Sequence, residues 1–121
     1  MTPATVNTLR PGLEPNDCAI CALSCYLDVG YTDALRAAAE HDPEAAYEGL
    51  DTQGIIDAAA ELGATLTRVP KFNPSRVYGI VLTRTHAAVL RHGWVLDRDQ
   101  VFPWAAWRRK YRGRVLLLTA E

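Results

Sequence analysis

No stretch of this chain approaches the roughly 20 apolar residues that a membrane-spanning helix needs. Residues 1–13 also lack the long apolar core of a secretory leader. Residence in the cytoplasm, away from membranes, is the expectation. Charge of one sign is missing too. Lys and Arg number 13 against 14 Asp and Glu, a net charge of -1, so no bulk field draws the chain toward nucleic acid. Only three cysteines are present; an odd number on one expected helix excludes a disulfide framework. His41, His86 and His92 show no ligand-pair spacing, and three thiols on one helix lack a fourth ligand. No metal and no cofactor are therefore expected. A chain of 121 residues makes a single domain, 1–121, with one modest core.

What is present is a run, Asn16-Asp17-Cys18-Ala19-Ile20-Cys21-Ala22-Leu23, set against Thr85-His86-Ala87-Ala88-Val89-Leu90 and Val95-Leu96-Asp97 far downstream. A thiolate attacks carbonyl carbon well only when its pKa is lowered, by a helix N-terminus or by an imidazole within hydrogen-bonding distance. Asn16 or Asp17 is a natural N-cap after Pro15, and apolar residues then continue to about Val29. Cys18 thus falls in the first turn of a helix. Cys21 and Cys25 follow at i+3 and i+7 on the same stripe, where free cysteine serves as a small buried hydrophobe. Cys18-Ala19-Ile20-Cys21 also reads as a Cys-x-x-Cys redox pair. The strand that usually precedes such a pair is replaced here by Pro3, Pro11 and Pro15.

The remaining punctuation divides the chain into helices followed by strands, an α+β arrangement. The lead-in, residues 1–15, reads as extended. The first helix is apolar nearly all round, the mark of an enclosed helix, and Gly30 reads as its C′ residue. Thr32 or Asp33 caps a second helix to about Glu40, with Leu35, Ala38 and Ala39 inward, and Pro43 opens another turn to Tyr47. Asp51 or Thr52 caps the next helix, whose Ile55, Ile56, Ala59 and Leu62 share a face before Gly63 stops it. Alternation then predicts strands over 64–69, 77–83, 86–90 and 94–97, with a polar loop at 70–75. Residues 103–111 read as a short helix or irregular turn and 114–119 as a final strand.

A turn centred between His92 and Gly93 pairs residues whose numbers add to about 185. His86 then lies opposite about Asp99, with Asp97 one or two positions away, so either carboxylate could reach the imidazole. Asp97 is preferred because it directly follows an apolar strand, where a half-buried carboxylate can hold one tautomer. Trp104 and Trp107 share a face that either caps the sheet or walls a cleft. Arg108-Arg109-Lys110, with Arg112 and Arg114, forms a local basic run of the kind that is usually a solvated face. His41 and His92 sit beside turn residues and read as surface histidines.

In this order these pieces resemble the papain-like cysteine peptidases, and among them the compact bacteriocin-leader-peptidase-like and phage-encoded relatives. The matching segments are Asn16-Asp17-Cys18, the helix from Gly54 to Leu62-Gly63, Thr85-His86-Ala87 and Leu96-Asp97. The resemblance implies a papain-like fold in which N-terminal helices, including a buried central helix starting at the cysteine, pack on a C-terminal antiparallel sheet. It implies a hydrolase with Cys18 as nucleophile, His86 as base and Asp97 as orienter, cutting a peptide, isopeptide or other amide through a thioester. The partner would be a peptide or protein substrate. One element of the family pattern is missing, a glutamine upstream of the nucleophile that donates to the oxyanion; Gly12 stands six positions before Cys18. The Cys18 backbone N–H and the Asn16 side chain are the candidate replacements. The alternatives from other classes are a catalytically silent scaffold that binds a protein in its cleft, and a thiol-disulfide oxidoreductase using Cys18 and Cys21.

Overall fold

Three helices come first and strands second, as the change of period from 3.6 to 2 demands, with one further short helix before the last strand. A computed structural model describes residues 17–43 and 49–120; Asn16, the lead-in and most of the turn expected over 43–47 lie outside them. Among the described residues there are four helices, which we number α1 (Cys18–Leu27), α2 (Tyr31–His41), α3 (Thr52–Glu61) and α4 (Trp104–Lys110). Six strands follow the order β1 (Leu66–Val69), β2 (Tyr78–Leu82), β3 (Ala87–Arg91), β4 (Trp94–Asp97), β5 (Gln100–Pro103) and β6 (Leu116–Ala120). They form one antiparallel sheet, β1-β6-β2-β3-β4-β5. No described helix is long and apolar enough to cross a membrane.

Alternation along the strands separates two cores. Ile80, Leu82, Ala87, Val89, Leu96 and Leu118 point to one face, where α1, α2 and α3 cover them. Val81, Ala88, Leu90, Val95 and Leu117 point to the other, where the fully buried Trp107 of α4 lies among them. α1 is enclosed: Ala19, Ile20, Cys21, Ala22, Leu23, Ser24 and Cys25 are all buried. Its neighbours are α2 and β3, with α3 and β2 beside them. Burial on nearly every side explains why its sequence is apolar in every direction.

The helix ends differ from expectation at the end of α1 and at the start of α2, where Tyr31 already opens the helix and neither Thr32 nor Asp33 caps it. Asp28 rather than Gly30 takes the left-handed position after α1, at φ 53°, and Gly30 instead serves as the N-cap of α2. The Ser24 hydroxyl donates to the Val29 carbonyl at 2.6 Å, and the Val29 N–H donates to the Ser24 carbonyl. That pair of bonds closes the turn without glycine. Tyr31 begins α2 and is buried, whereas Leu35 and Ala39 are only half-buried. The cap of α3 is as the sequence indicates: Asp51 accepts from the Gly54 N–H at 2.7 Å.

Gly79 in β2 marks a close approach between strands. A Cβ there would lie 2.5 Å from the Leu118 carbonyl oxygen and 3.0 Å from Leu117 Cδ1 and Thr119 Cγ2. Substituting Gly79→Ala should cost on the order of 1–3 kcal/mol, the usual scale of overpacking, measured as a lowered urea midpoint. An unchanged midpoint would show that β2 and β6 can separate freely at this point.

Candidate active site

Cys18 is the first residue of α1, so its backbone N–H is among those with no intrahelical acceptor and its side chain sits at the positive end of the helix. Asp17 precedes it as N-cap, yet makes no side-chain capping bond. Its carboxylate is turned inward and wholly buried. There the Tyr31 hydroxyl donates to Oδ2 at 2.7 Å, and the guanidinium of Arg98 pairs with Oδ1.

The other half of the site comes from one hairpin. His92 at φ 48° and Gly93 at φ 90° form the two-residue turn between β3 and β4. They fix the register Val89↔Leu96, Leu90↔Val95 and Arg91↔Trp94. His86 lies just before β3, and Asp97 ends β4. The His86 Nε2–H donates to Asp97 Oδ2 at 2.7 Å, with only 14 % of the imidazole side chain and 8 % of the carboxylate side chain exposed. Asp99, the rival carboxylate, sits instead in the exposed turn between β4 and β5.

The indole N–H of Trp107 donates to the same Asp97 oxygen at 2.9 Å. Tyr111 stacks on the His86 ring, with centroids 4.2 Å apart and planes 5° from parallel. α4 thus holds the carboxylate with one aromatic residue, and the residue following it covers a face of the imidazole with another. The sequence offered Trp104 and Trp107 only as a shared aromatic face. The spacing of Trp107 and Tyr111, four residues apart around a helix end, was the available hint of a joint role. Trp104 stacks on Trp107 at 5.8 Å.

With Nε2 committed to Asp97, Nδ1 is the imidazole atom left for the Cys18 thiol, which is hydrogen-bonded to His86. Burial by itself would raise the Cys18 pKa. The hydrogen bond and charge of His86, the Ala87 backbone N–H and the charge of Arg98 outweigh it, and the thiol lies below its ordinary value of 9.0. Burial would likewise lower His86, but its bonds to Asp97 and Cys18 raise it to about 9. Both shifts favour a thiolate–imidazolium pair. The other two thiols go the opposite way. Burial, then the negative charge of Asp17, pushes Cys21 up to about 12, and burial with Asp28 pushes Cys25 up to about 11.

Cys18 and His86 open into a cleft of about 920 Å³ between the start of α3 and the turn joining β2 to β3. Gly49, Asp51, Thr52 and Gly54 line one side, and Thr83 to Thr85 the other. Nothing in the cleft gathers ligands for a metal; among the described residues no group of three or more His, Cys, Asp or Glu could hold one. His41 also lines this cleft and pairs with Glu61 at 3.4 Å, whereas His92 is exposed in its turn. Arg108, first of the basic run, donates to the carbonyls of Tyr111 and Gly113. Comparisons with protein-family models, with curated proteins and with solved structures gave no match.

A raised imidazole pKa carries a definite pH signature. The stability contributed by protonated His86 is fully present below about 6.5, the value of a free imidazole, and is lost as pH rises toward 9. Asp97→Asn should therefore cost more stability at pH 6 than at pH 9.5, measured by urea denaturation at both values. Equal losses at the two would mean that Asp97 does not hold the imidazolium.

Proposed function

We propose that the chain is a papain-like thiol hydrolase acting on a peptide, isopeptide or other amide carbonyl. The observation that carries this reading is the unbroken hydrogen-bonded series from Cys18 through His86 to Asp97, with its thiol end facing an open cleft. His86 takes the Cys18 proton, and the sulfur attacks the carbonyl carbon. Asp97 holds the ring while its positive charge develops. The imidazolium then protonates the departing amine, leaving a thioester on Cys18. Water, deprotonated by His86, adds to that thioester and releases the acid and the thiol. The Cys18 backbone N–H is positioned by its place in the helix to donate to the oxyanion. The second donor assigned from the sequence, Asn16, lies outside the described residues.

The architecture supports the same family reading: helices first, the cysteine at the head of an enclosed helix, then an antiparallel sheet delivering His86 and Asp97. A binding module without catalysis has no need of a lowered thiol pKa. An oxidoreductase needs Cys21 as a resolving thiol, and a buried group pushed up to about 12 is poorly suited to that.

Iodoacetamide labelling with mass mapping at pH 7 should modify Cys18 and leave Cys21 and Cys25 unmodified in the folded chain; Cys18→Ala should abolish it. His86→Ala should slow turnover of an amide or thioester probe by ~10²–10⁴, the usual scale for losing a general base. Equal labelling of all three thiols, or full turnover without His86, would overturn the assignment.

A further inference from the structure

The residues flanking the site are joined to each other independently of the site itself. Asp17 directly precedes Cys18, Arg98 directly follows Asp97, and the two form an ion pair. Arg98 reaches it from a left-handed backbone, φ 56°, at the turn into β5. Consecutive side chains therefore diverge: Asp97 goes to His86 and Trp107 while Arg98 goes to Asp17. The Asp17 carboxylate has no exposure to water. Its remaining donors are the Tyr31 hydroxyl from α2 and the Cys21 thiol from the next turn of α1.

That placement creates a problem that Arg98 resolves. A bare, buried carboxylate on the residue before Cys18 would oppose ionisation nearby, as it already does at Cys21, because like charges in a poorly solvated site repel strongly. A half-buried guanidinium against it removes most of that field and adds its own, and a planar fork suits the task better than an ammonium. The same pair ties the head of α1 to the segment carrying Asp97.

We propose that the Asp17–Arg98 ion pair is a positioning and charge-balancing strut. It fixes the nucleophile's helix to the hairpin that carries its base and orienter, and it neutralises the carboxylate adjoining Cys18. This rests on the reading of Cys18 as the nucleophile. The titratable groups that act on the sulfur or are acted on by it are then His86 from the start of β3, Arg98 after β4, and Tyr111 after α4. Cys21 is coupled to it from its own helix, and Asp17 acts on Cys21 in turn. Arg98 acts on the thiol through charge and through Asp17, without touching substrate.

The test is the pH dependence of Cys18 alkylation by iodoacetamide in the full chain, followed by mass mapping. Arg98→Met should move the midpoint upward by about one pH unit and slow alkylation at pH 7 about tenfold, while Arg98→Lys should restore most of it. The double variant Asp17→Asn with Arg98→Met carries neither charge. Its midpoint should fall back from that of Arg98→Met toward the wild type, short of it by the lost charge of Arg98 itself, which a purely architectural role for Arg98 would not produce. The double variant also remains informative if Arg98→Met alone fails to fold, since it buries no unpaired carboxylate. A lowered wild-type midpoint that is unchanged in folded Arg98→Met, or a double variant as impaired as the single one, would overturn the strut alone. A wild-type Cys18 titrating like an ordinary exposed thiol would overturn the nucleophile assignment and the strut with it.

Discussion

The site depends on one carboxylate held below the surface. Asp97 Oδ2 accepts from the imidazole of His86 and from the indole of Trp107 at once, so a single oxygen joins the β3–β4 hairpin to α4. Hydrogen bonds to a charged acceptor in a poorly solvated place are stronger than neutral ones, and losing one leaves a buried charge under-satisfied. That oxygen reaches both donors because the His92-Gly93 turn permits only one register. The turn is itself seated against the preceding loop, where the His92 N–H donates to Val77 and the Gly93 N–H to Pro74. A shift by one residue would send Asp97 to the opposite face of the sheet.

Three thiols on one helix stripe are chemically identical in sequence and are separated only by their surroundings. Cys21 and Cys25 occupy apolar core near carboxylates, where ionisation is opposed twice, by desolvation and by like charge. Cys18 suffers the same desolvation but meets an imidazole, a backbone N–H and a nearby guanidinium. Its lowered pKa comes from what the sheet brings to it. The enclosing aromatic residues sharpen the difference, since Tyr111 lies flat on one side of His86 and Trp107 tilts toward it. Water has correspondingly little access to the imidazole–carboxylate bond.

Much of this was legible before any coordinates. The enclosed helix beginning at Cys18, the Asp51 cap of α3 and the strands β2, β3, β4 and β6 follow from period, caps and turns, with ends displaced by a residue or two. The hairpin arithmetic gave the observed register and brought His86 near two carboxylates. β5 was not anticipated, because Gln100-Val101-Phe102-Pro103 is too short to show alternation and ends in proline. The exchange of Asp28 for Gly30 at the end of α1 rested on Ser24, whose side-chain bond to Val29 no pattern of apolar residues reveals.

Sequence alone determined most of the helical and extended segments, β5 and α4 excepted, and which side chains could carry nucleophilic chemistry, since these follow from local period, capping and intrinsic reactivity. Tertiary structure alone decided that Asp97 and not Asp99 meets the imidazole, because the second turn turns Asp99 out to solvent. It also decided that Asp17 faces inward to Tyr31 and Arg98 instead of capping its helix, and that Trp107 and Tyr111 enclose His86. Those are contacts between residues far apart in the chain, and their energies come from burial and charge that no local window contains.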